Sequence, residues 1–170
     1  PELREAVAFD LKKRHRVNVN TENIIVVPGG KPTIFFTLLM FGGVNSEIIY
    51  PDPGFPIYRS LINFTGSKGV PISMKEKNGF SFNADDILEK ITPNTKLVII
   101  NSPANPTGGV TSKQELDKFV TEIAKTPTIA ILSDEIYSHM IYEKTDYTSL
   151  LQYPQIYDQL IMLDGWSKTY

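Results

Sequence analysis

The sequence contains no cysteine, and its 170 residues include only two histidines. Without cysteine, the chain can form neither disulfide bridges nor thiolate metal sites, and this composition is compatible with the cytosol. His15 and His139 are too few and too far apart in the sequence for a histidine-based metal site, and no H-E-x-x-H motif occurs. We therefore expect no bound metal and a cytoplasmic protein.

Long apolar runs and an excess of positive charge are missing as well. No stretch has the length of a membrane span, and the formal net charge is −2, so we expect neither a membrane nor a nucleic acid as partner. One basic cluster comprises Lys12, Lys13, Arg14 and Arg16, and we interpret it as the solvated end of a helix. With 41% hydrophobic and 21% charged residues, the chain has the composition of one globular domain.

Apolar strands alternate with amphipathic helices, which predicts an α/β fold with a mostly parallel sheet flanked by helices. The predicted strands are Ile24 to Val27, Glu47 to Tyr50, Val70 to Met74, Lys96 to Asn101, Thr128 to Leu132 and Leu160 to Leu163. The predicted helices start at Pro1 with a stripe of Leu3, Val7 and Leu11, at Lys31 (to Phe41), at Phe55 (to Phe64), after a cap at Asn83 (to Lys90), and after a cap at Ser112 (to about Lys125).

Two further local features follow from the residue types. Glu115 lies three residues after Ser112, and this spacing predicts a capping box in which each side chain bonds to the backbone of the other. The polar and aromatic stretch from Glu143 to Tyr157 has no clear periodicity, so we expect it to be irregular.

Unusual residues follow the ends of the predicted strands. They are Gly29 and Gly30, Phe55, Asn105, Asp134 and Lys168. In open parallel sheets the carboxyl ends of the strands meet at one edge, where loops converge and helix N-termini direct free N–H groups at ligands. The sequence therefore predicts one pocket lined by these residues.

Each of these motifs alone also has an ordinary structural explanation. Gly29-Gly30-Lys31 lacks the spacing of dinucleotide and P-loop motifs, so it indicates either a simple turn before a helix or a site for a single phosphate. Phe55 alone would be core packing, and Asn105-Pro106-Thr107-Gly108 alone would be a turn. Asp134 is more informative, because a carboxylate after a buried strand needs a cation or a hydrogen-bond donor beside it.

Taken together, five segments resemble a known family. They are Pro-Glu-Leu-Arg-Glu-Ala at 1–6, Gly-Gly-Lys at 29–31, Asn-Ser-Pro-Ala-Asn-Pro-Thr-Gly-Gly at 101–109, Ser-Asp-Glu-Ile-Tyr at 133–137 and Ser-Lys at 167–168. Over the whole chain they resemble the class I/II pyridoxal-phosphate-dependent aminotransferases of fold type I, which are aspartate aminotransferase-like. The resemblance implies that residues 1–170 are a partial cofactor-binding large domain, without the N-terminal arm and the small C-terminal domain.

The same resemblance implies pyridoxal 5'-phosphate as cofactor, an amino acid and a 2-oxo acid as substrates, and a homodimer. The catalytic residues that it implies are Lys168, Asp134 and Tyr137. The cofactor-binding residues that it implies are Gly29, Gly30, Lys31, Phe55, Asn105, Asp134, Tyr137, Ser167 and Lys168.

The implied roles agree with the chemistry of the side chains. Lys168 would bind the cofactor covalently and move the substrate proton, and Asp134 would pair with the ring nitrogen. Tyr137 and Asn105 would donate to the ring oxygen, and Phe55 would stack on the ring. The family has a serine three positions before the lysine, where this chain has Gly165, which carries no hydroxyl for a phosphate contact.

Other functions are compatible with the same motifs. A lyase or a cyclopropane-forming synthase shares them, and so does a non-catalytic regulatory domain of the same fold attached to a DNA-binding module. A globular α/β domain without cofactor would require all the motifs to coincide by chance.

Overall fold

The computed structural model describes residues 2–142 and 147–170, so Pro1 and residues 143–146 lie outside the described residues. Its centre is a five-stranded sheet with the order β2-β1-β3-β4-β5, in which all neighbouring strands are parallel. The strands are β1 (Glu47–Asp52), β2 (Lys68–Ser73), β3 (Thr95–Asn101), β4 (Ala130–Asp134) and β5 (Leu160–Leu163). The predicted α/β fold with a mostly parallel sheet flanked by helices is confirmed.

Five α-helices accompany the sheet in the described part of the chain. They are α1 (Glu2–His15), α2 (Gly30–Phe41), α3 (Pro56–Phe64), α4 (Ala84–Leu88) and α5 (Lys113–Ile123). Within residues 2–142 and 147–170, no helix has the combination of length and apolar composition that a membrane crossing requires.

The two faces of the sheet bury two separate hydrophobic clusters. Successive side chains of a strand point to opposite faces, so Ile48 packs with α2 and α3 while Ile49 packs with α4 and α5. The α2–α3 cluster includes Ile34, Leu38, Tyr58, Ile62, Leu97, Ile99 and Leu132, and the α4–α5 cluster includes Ile87, Val98, Ile100, Leu116, Phe119, Val120 and Ile131. The continuous apolar run of β3 is therefore buried on both sides, as expected for a central parallel strand.

Most of the predicted elements occur close to their predicted positions. Each of the strands β1 to β5 begins and ends within two residues of its predicted bounds. Asn83 caps α4 by accepting hydrogen bonds from the N–H groups of Asp85 (2.9 Å) and Asp86 (3.4 Å). In the stretch predicted to be irregular, the described part contains short 3-10 helices at Leu150–Gln152 and Pro154–Gln159, while residues 143–146 lie outside the description.

The predicted strand from Ile24 to Val27 is wrong. These residues form no strand, and the side chains of Ile25 and Val26 are 83% and 54% exposed. A β-branched run predicts an extended conformation, but a strand also needs a neighbouring strand to satisfy its backbone groups. Among the described residues, no strand pairs with this segment.

Helix α1 also differs from its prediction in which residues it buries. Of the predicted stripe only Leu11 is buried, whereas Leu3 is 46% exposed. The interpretation of the basic cluster as solvated holds for Lys12, Lys13 and Arg16 but is wrong for Arg14, whose side chain is 20% exposed and bonded to two carboxylates. Because helix position alone does not show what packs against a helix end, the sequence could not separate Arg14 from its neighbours.

The predicted capping box at the start of α5 forms only in part. The Glu115 N–H donates to Ser112 Oγ at 3.3 Å, as predicted. The Glu115 carboxylate does not return to Ser112 but accepts a hydrogen bond of 2.6 Å from the N–H of Ala84, the first residue of α4. Glu115 therefore joins two helices on the same face of the sheet, and it satisfies an N–H group that α4 cannot satisfy internally.

This bridge leads to a prediction on stability. Replacing Glu115 by alanine leaves the buried Ala84 N–H without its acceptor, so we expect the free energy of unfolding to fall by about 1–3 kcal/mol. Urea unfolding followed by circular dichroism measures this change. The control is Glu122→Ala on the same helix, which removes only an exposed pair with Lys125 and should change stability by less than about 0.5 kcal/mol. Equal losses in the two variants would show that the bridge does not stabilise the fold.

Candidate active site

The nine site residues predicted from the sequence line a single cavity of about 290 Å³. They are Gly29, Gly30, Lys31, Phe55, Asn105, Asp134, Tyr137, Ser167 and Lys168. The cavity lies at the carboxyl ends of the strands. After β1 the chain goes outward to β2, and it then returns to form β3 on the other side of β1. The cavity lies beside this change of direction. Its volume is near the lower end of the roughly 300–1,000 Å³ that is typical of ligand pockets.

The N-terminus of α2 opens into this cavity. Gly29 occupies the N-cap position with a φ of 90°, a conformation that favours glycine, and it brings no side chain to cap the helix. A Cβ on Gly30 would lie 3.3 Å from Leu163 Cδ2, so glycine also lets the helix begin close to β5. The free N–H groups of the first turn, the helix dipole and the Lys31 side chain could together hold an anion.

Asp134 is the last residue of β4, and its side chain is almost completely buried. Its Oδ2 accepts a hydrogen bond of 2.5 Å from the hydroxyl of Tyr58, and its Oδ1 accepts one of 3.3 Å from the N–H of Ile136. Burial raises the pKa of the Asp134 carboxyl above its ordinary value, and these two donors only partly offset that effect. Because the charged form is poorly solvated, the carboxylate would bind a cation or a strong N–H donor in the cavity favourably.

Tyr58 is a site residue that the sequence analysis missed. It is fully buried in α3, and burial together with the neighbouring Asp134 raises the pKa of its hydroxyl, so it remains a proton donor. Its ring meets that of Phe55 edge to face, with 5.8 Å between the centroids. Tyr58 follows Phe55 by three residues. On a helix this spacing brings two side chains to the same face, and it was the sequence feature that could have indicated Tyr58 as a site residue.

Asn101 is a second residue that was not singled out, although it belongs to one of the recognised segments. At the end of β3 its Nδ2 donates to the backbone oxygen of Asp134 at 2.9 Å, and its Oδ1 accepts from the N–H of Asn105 at 2.8 Å. The Asn101 side chain thereby ties the loop that carries Asn105 to the end of β4. These two of its three side-chain hydrogen bonds fix Asn105 and Asp134 relative to each other.

The opposite side of the cavity is formed by the segments that follow β4 and β5. Tyr137 is half-buried three residues after Asp134, whereas Ser167 and Lys168 are exposed at the cavity mouth. The Lys168 segment folds into a turn in which the N–H groups of Thr169 and Tyr170 each donate to the Trp166 oxygen at 3.0 Å. The cavity thus has a buried carboxylate at its base, the uncapped start of α2 on one side and a primary amine at its mouth.

Comparison with known proteins identifies a matching family. Residues 1–170 match the family described as aminotransferase class I and II. The aspartate aminotransferase of Sulfolobus acidocaldarius is 36% identical over 171 residues, which cover 99% of this chain. The aromatic-amino-acid aminotransferase 2 of Thermococcus litoralis is 32% identical over 170 residues, also 99% of this chain.

The fold has close counterparts among solved structures. The aspartate aminotransferase of Rhizobium meliloti superposes on the whole chain with a TM-score of 0.94 at 25% sequence identity. The chain spans 42% of the length of the Sulfolobus protein, and 43% of the lengths of the Thermococcus and Rhizobium proteins. Because the family match extends over every residue of the sequence, the chain belongs to the class I and II aminotransferases.

Proposed function

We propose that the chain is part of the large domain of a pyridoxal-phosphate-dependent enzyme, which transfers an amino group from an L-amino acid to a 2-oxo acid. The observation that carries the proposal is the position of Asp134, a buried carboxylate that lines the same cavity as Lys168 and the N-terminus of α2. Relatives named as aminotransferases for aspartate and for aromatic amino acids support transamination over the other reactions that the motifs allow.

The chemistry of the cavity fits pyridoxal 5'-phosphate in three respects. The uncapped start of α2 suits a phosphate dianion, and the Asp134 carboxylate, whose charge is only partly compensated, suits the N–H⁺ of a pyridinium. The Phe55 side chain supplies an aromatic surface for the ring. When bound, this cofactor supplies an aldehyde that reacts with amines and a ring that withdraws electrons from the attached substrate.

Asp134 and Tyr58 act as one unit in this proposal. The Asp134 carboxylate holds a proton on the ring nitrogen through its negative charge, which the solvent screens little because the side chain is buried. The Tyr58 hydroxyl occupies the other side of the carboxylate and orients it, and its hydrogen bond favours the charged form of Asp134. Phe55 packs against Tyr58 and so helps to fix the same geometry.

Lys168 supplies the reactive amine. Its position at the cavity mouth suits both covalent attachment of the cofactor and movement of the substrate's Cα proton once the lysine amine is free. Tyr137 and Asn105 are the proposed donors to the ring oxygen. Gly29, Gly30 and Lys31 hold the phosphate together with the Ser167 hydroxyl, while Gly165 provides no hydroxyl at the position where the family has serine.

The whole protein is proposed to be a homodimer that acts on an amino acid and a 2-oxo acid. The chain spans less than half of the length of the relatives it matches, so substrate-binding groups beyond these 170 residues are part of the proposal. We propose that residues 1–170 are a partial large domain, and that the small C-terminal domain and the N-terminal arm of the family lie outside them.

The covalent role of Lys168 gives a direct prediction. In the complete protein, Lys168→Ala should abolish the cofactor mass that borohydride reduction fixes to the peptide containing residue 168, because alanine has no amine. Mass spectrometry of the digested protein measures this adduct. The control is Lys118→Ala, which changes an exposed lysine of α5 and should leave the adduct in full yield. An undiminished adduct after Lys168→Ala would refute the assignment.

The role of Asp134 gives a second prediction. Asp134→Asn keeps the size of the side chain but removes its charge, so we expect covalent attachment of the cofactor to persist while kcat falls by roughly 10²–10³-fold. Steady-state kinetics of the complete protein, with the adduct yield measured in parallel, separates these two effects. Unchanged kcat would remove Asp134 from the mechanism.

The Tyr58 hydrogen bond predicts a change in pH dependence. The bond lowers the pKa of Asp134, so in Tyr58→Phe the carboxyl should become protonated at higher pH than in the unmodified protein. We expect the acidic limb of the kcat/KM profile to move upward by about one pH unit, the shift that loss of one hydrogen bond to a charged group produces. Tyr50→Phe, a buried tyrosine of β1, is the matched control and should leave the limb in place. A profile of Tyr58→Phe that coincides with the control would contradict this role.

A further inference from the structure

Arg14 connects the end of α1 to the segment that carries Lys168. Its Nη2 donates to Asp164 Oδ2 at 2.7 Å, and its Nε donates to Asp10 Oδ2 at 2.7 Å. The side chains of Arg14 and Asp164 are 20% and 18% exposed, so this ion pair is shielded from most of the solvent. A planar guanidinium between two carboxylates is a directional connection, which the flexible ammonium of a lysine does not reproduce.

Asp164 is well placed to pass this constraint to Lys168. It is the first residue after β5, and its Oδ1 accepts a hydrogen bond of 2.7 Å from the N–H of Gly165. One carboxylate oxygen thus fixes the backbone at the start of the Lys168 segment, while the other is held by Arg14. The turn from Trp166 to Tyr170 follows immediately.

The same guanidinium also reaches the segment after β4. Its Nη1 lies 3.5 Å from Ser138 Oγ, next to Tyr137, which lines the cavity. The neighbouring His15 does not compete with Arg14 for the carboxylates, because burial and the adjacent guanidinium lower the pKa of His15 to about 4 and leave the imidazole neutral near pH 7. Arg14 therefore lies between the two segments that form the mouth of the candidate active site.

We propose that Arg14 is a positioning residue: through Asp164 it fixes the Lys168 segment, and with it the direction from which the amine enters the cavity. This inference rests on the proposed function for its catalytic consequence, but the constraint on the segment is independent of the reaction. Lys168 remains the group that reacts, and Arg14 acts on it only through Asp164 and Gly165.

The test uses the complete protein without cofactor and follows amide hydrogen exchange. In Arg14→Leu, exchange in the peptide covering residues 164–170 should become about tenfold faster, the factor that loss of one charge-assisted hydrogen bond produces. Exchange in the β3 and α5 peptides should not change. Arg16→Leu is the matched control, because Arg16 lies at the same helix end with an exposed side chain and should leave all these rates unaltered. Equal exchange of residues 164–170 in both variants would overturn the proposal.

Two further variants cover the case in which Arg14→Leu does not fold. Asp164→Asn keeps the volume of the side chain but removes the ion pair, and it should accelerate exchange of the same peptide. Arg14→Lys keeps the positive charge without the planar fork, so its exchange should be intermediate between the unmodified protein and Arg14→Leu. Rates in either variant that equal those of the unmodified protein would overturn the proposal.

Kinetics then separates positioning from a general loss of structure. In Arg14→Leu the kcat should fall by about tenfold or more with KM changed less than about threefold, because misplacement of the amine affects the chemical step and not substrate binding. A change in KM alone would overturn the catalytic part of the proposal. If the unmodified protein forms no adduct at Lys168, the proposed function fails, whereas the exchange measurement still decides whether Arg14 holds the segment.

Discussion

Burial of the Asp134 carboxylate is the constraint on which the site depends. A charge at this depth is unfavourable unless donors surround it, and the protein supplies two: the Tyr58 hydroxyl and the Ile136 N–H. Tyr58 is buried in α3 and lines the cavity beside Asp134, and Asn101 holds the end of β4 through its bond to the Asp134 backbone oxygen. The ends of two strands, β3 and β4, and helix α3 thus meet around one buried acidic group.

The two faces of the sheet divide the tasks between them. Helices α2 and α3 pack on one face and both start at the cavity, α2 with its free N–H groups and α3 with Phe55 at its cap. Helices α4 and α5 cover the other face, where Glu115 joins them and where the described side chains form a hydrophobic core away from the cavity. One face therefore carries the candidate site, while the other buries a separate hydrophobic core.

The sequence predicted the features that depend on local patterns, and it did not predict those that depend on contacts between residues far apart in the chain. Hydrophobic periodicity and helix caps predicted the positions of the strands and helices. The site residues were predicted to line one pocket because the carboxyl ends of parallel strands lie at one edge of the sheet. The Ile24–Val27 segment has a strand's composition, but strand formation depends on pairing that local sequence does not reveal. Likewise one of the two carboxylate partners of Arg14, Asp164, lies 150 residues away, and the Glu115 carboxylate bonds across 31 residues, so the sequence did not reveal either contact.

Two consecutive buried carboxylates, Asp134 and Glu135, differ in how many donors the chain itself supplies, and this difference favours Asp134 for the proposed site. Glu135 is surrounded by donors from the chain itself: Ser133 Oγ at 2.7 Å, the Leu150 N–H at 3.1 Å and the Tyr147 hydroxyl. Burial raises the pKa of Glu135 too, but its oxygens are occupied by the bonds from Ser133, Tyr147 and Leu150. Asp134 points to the opposite side, into the cavity, with fewer donors. Of the two, it is the carboxylate with capacity left for a cationic ring nitrogen.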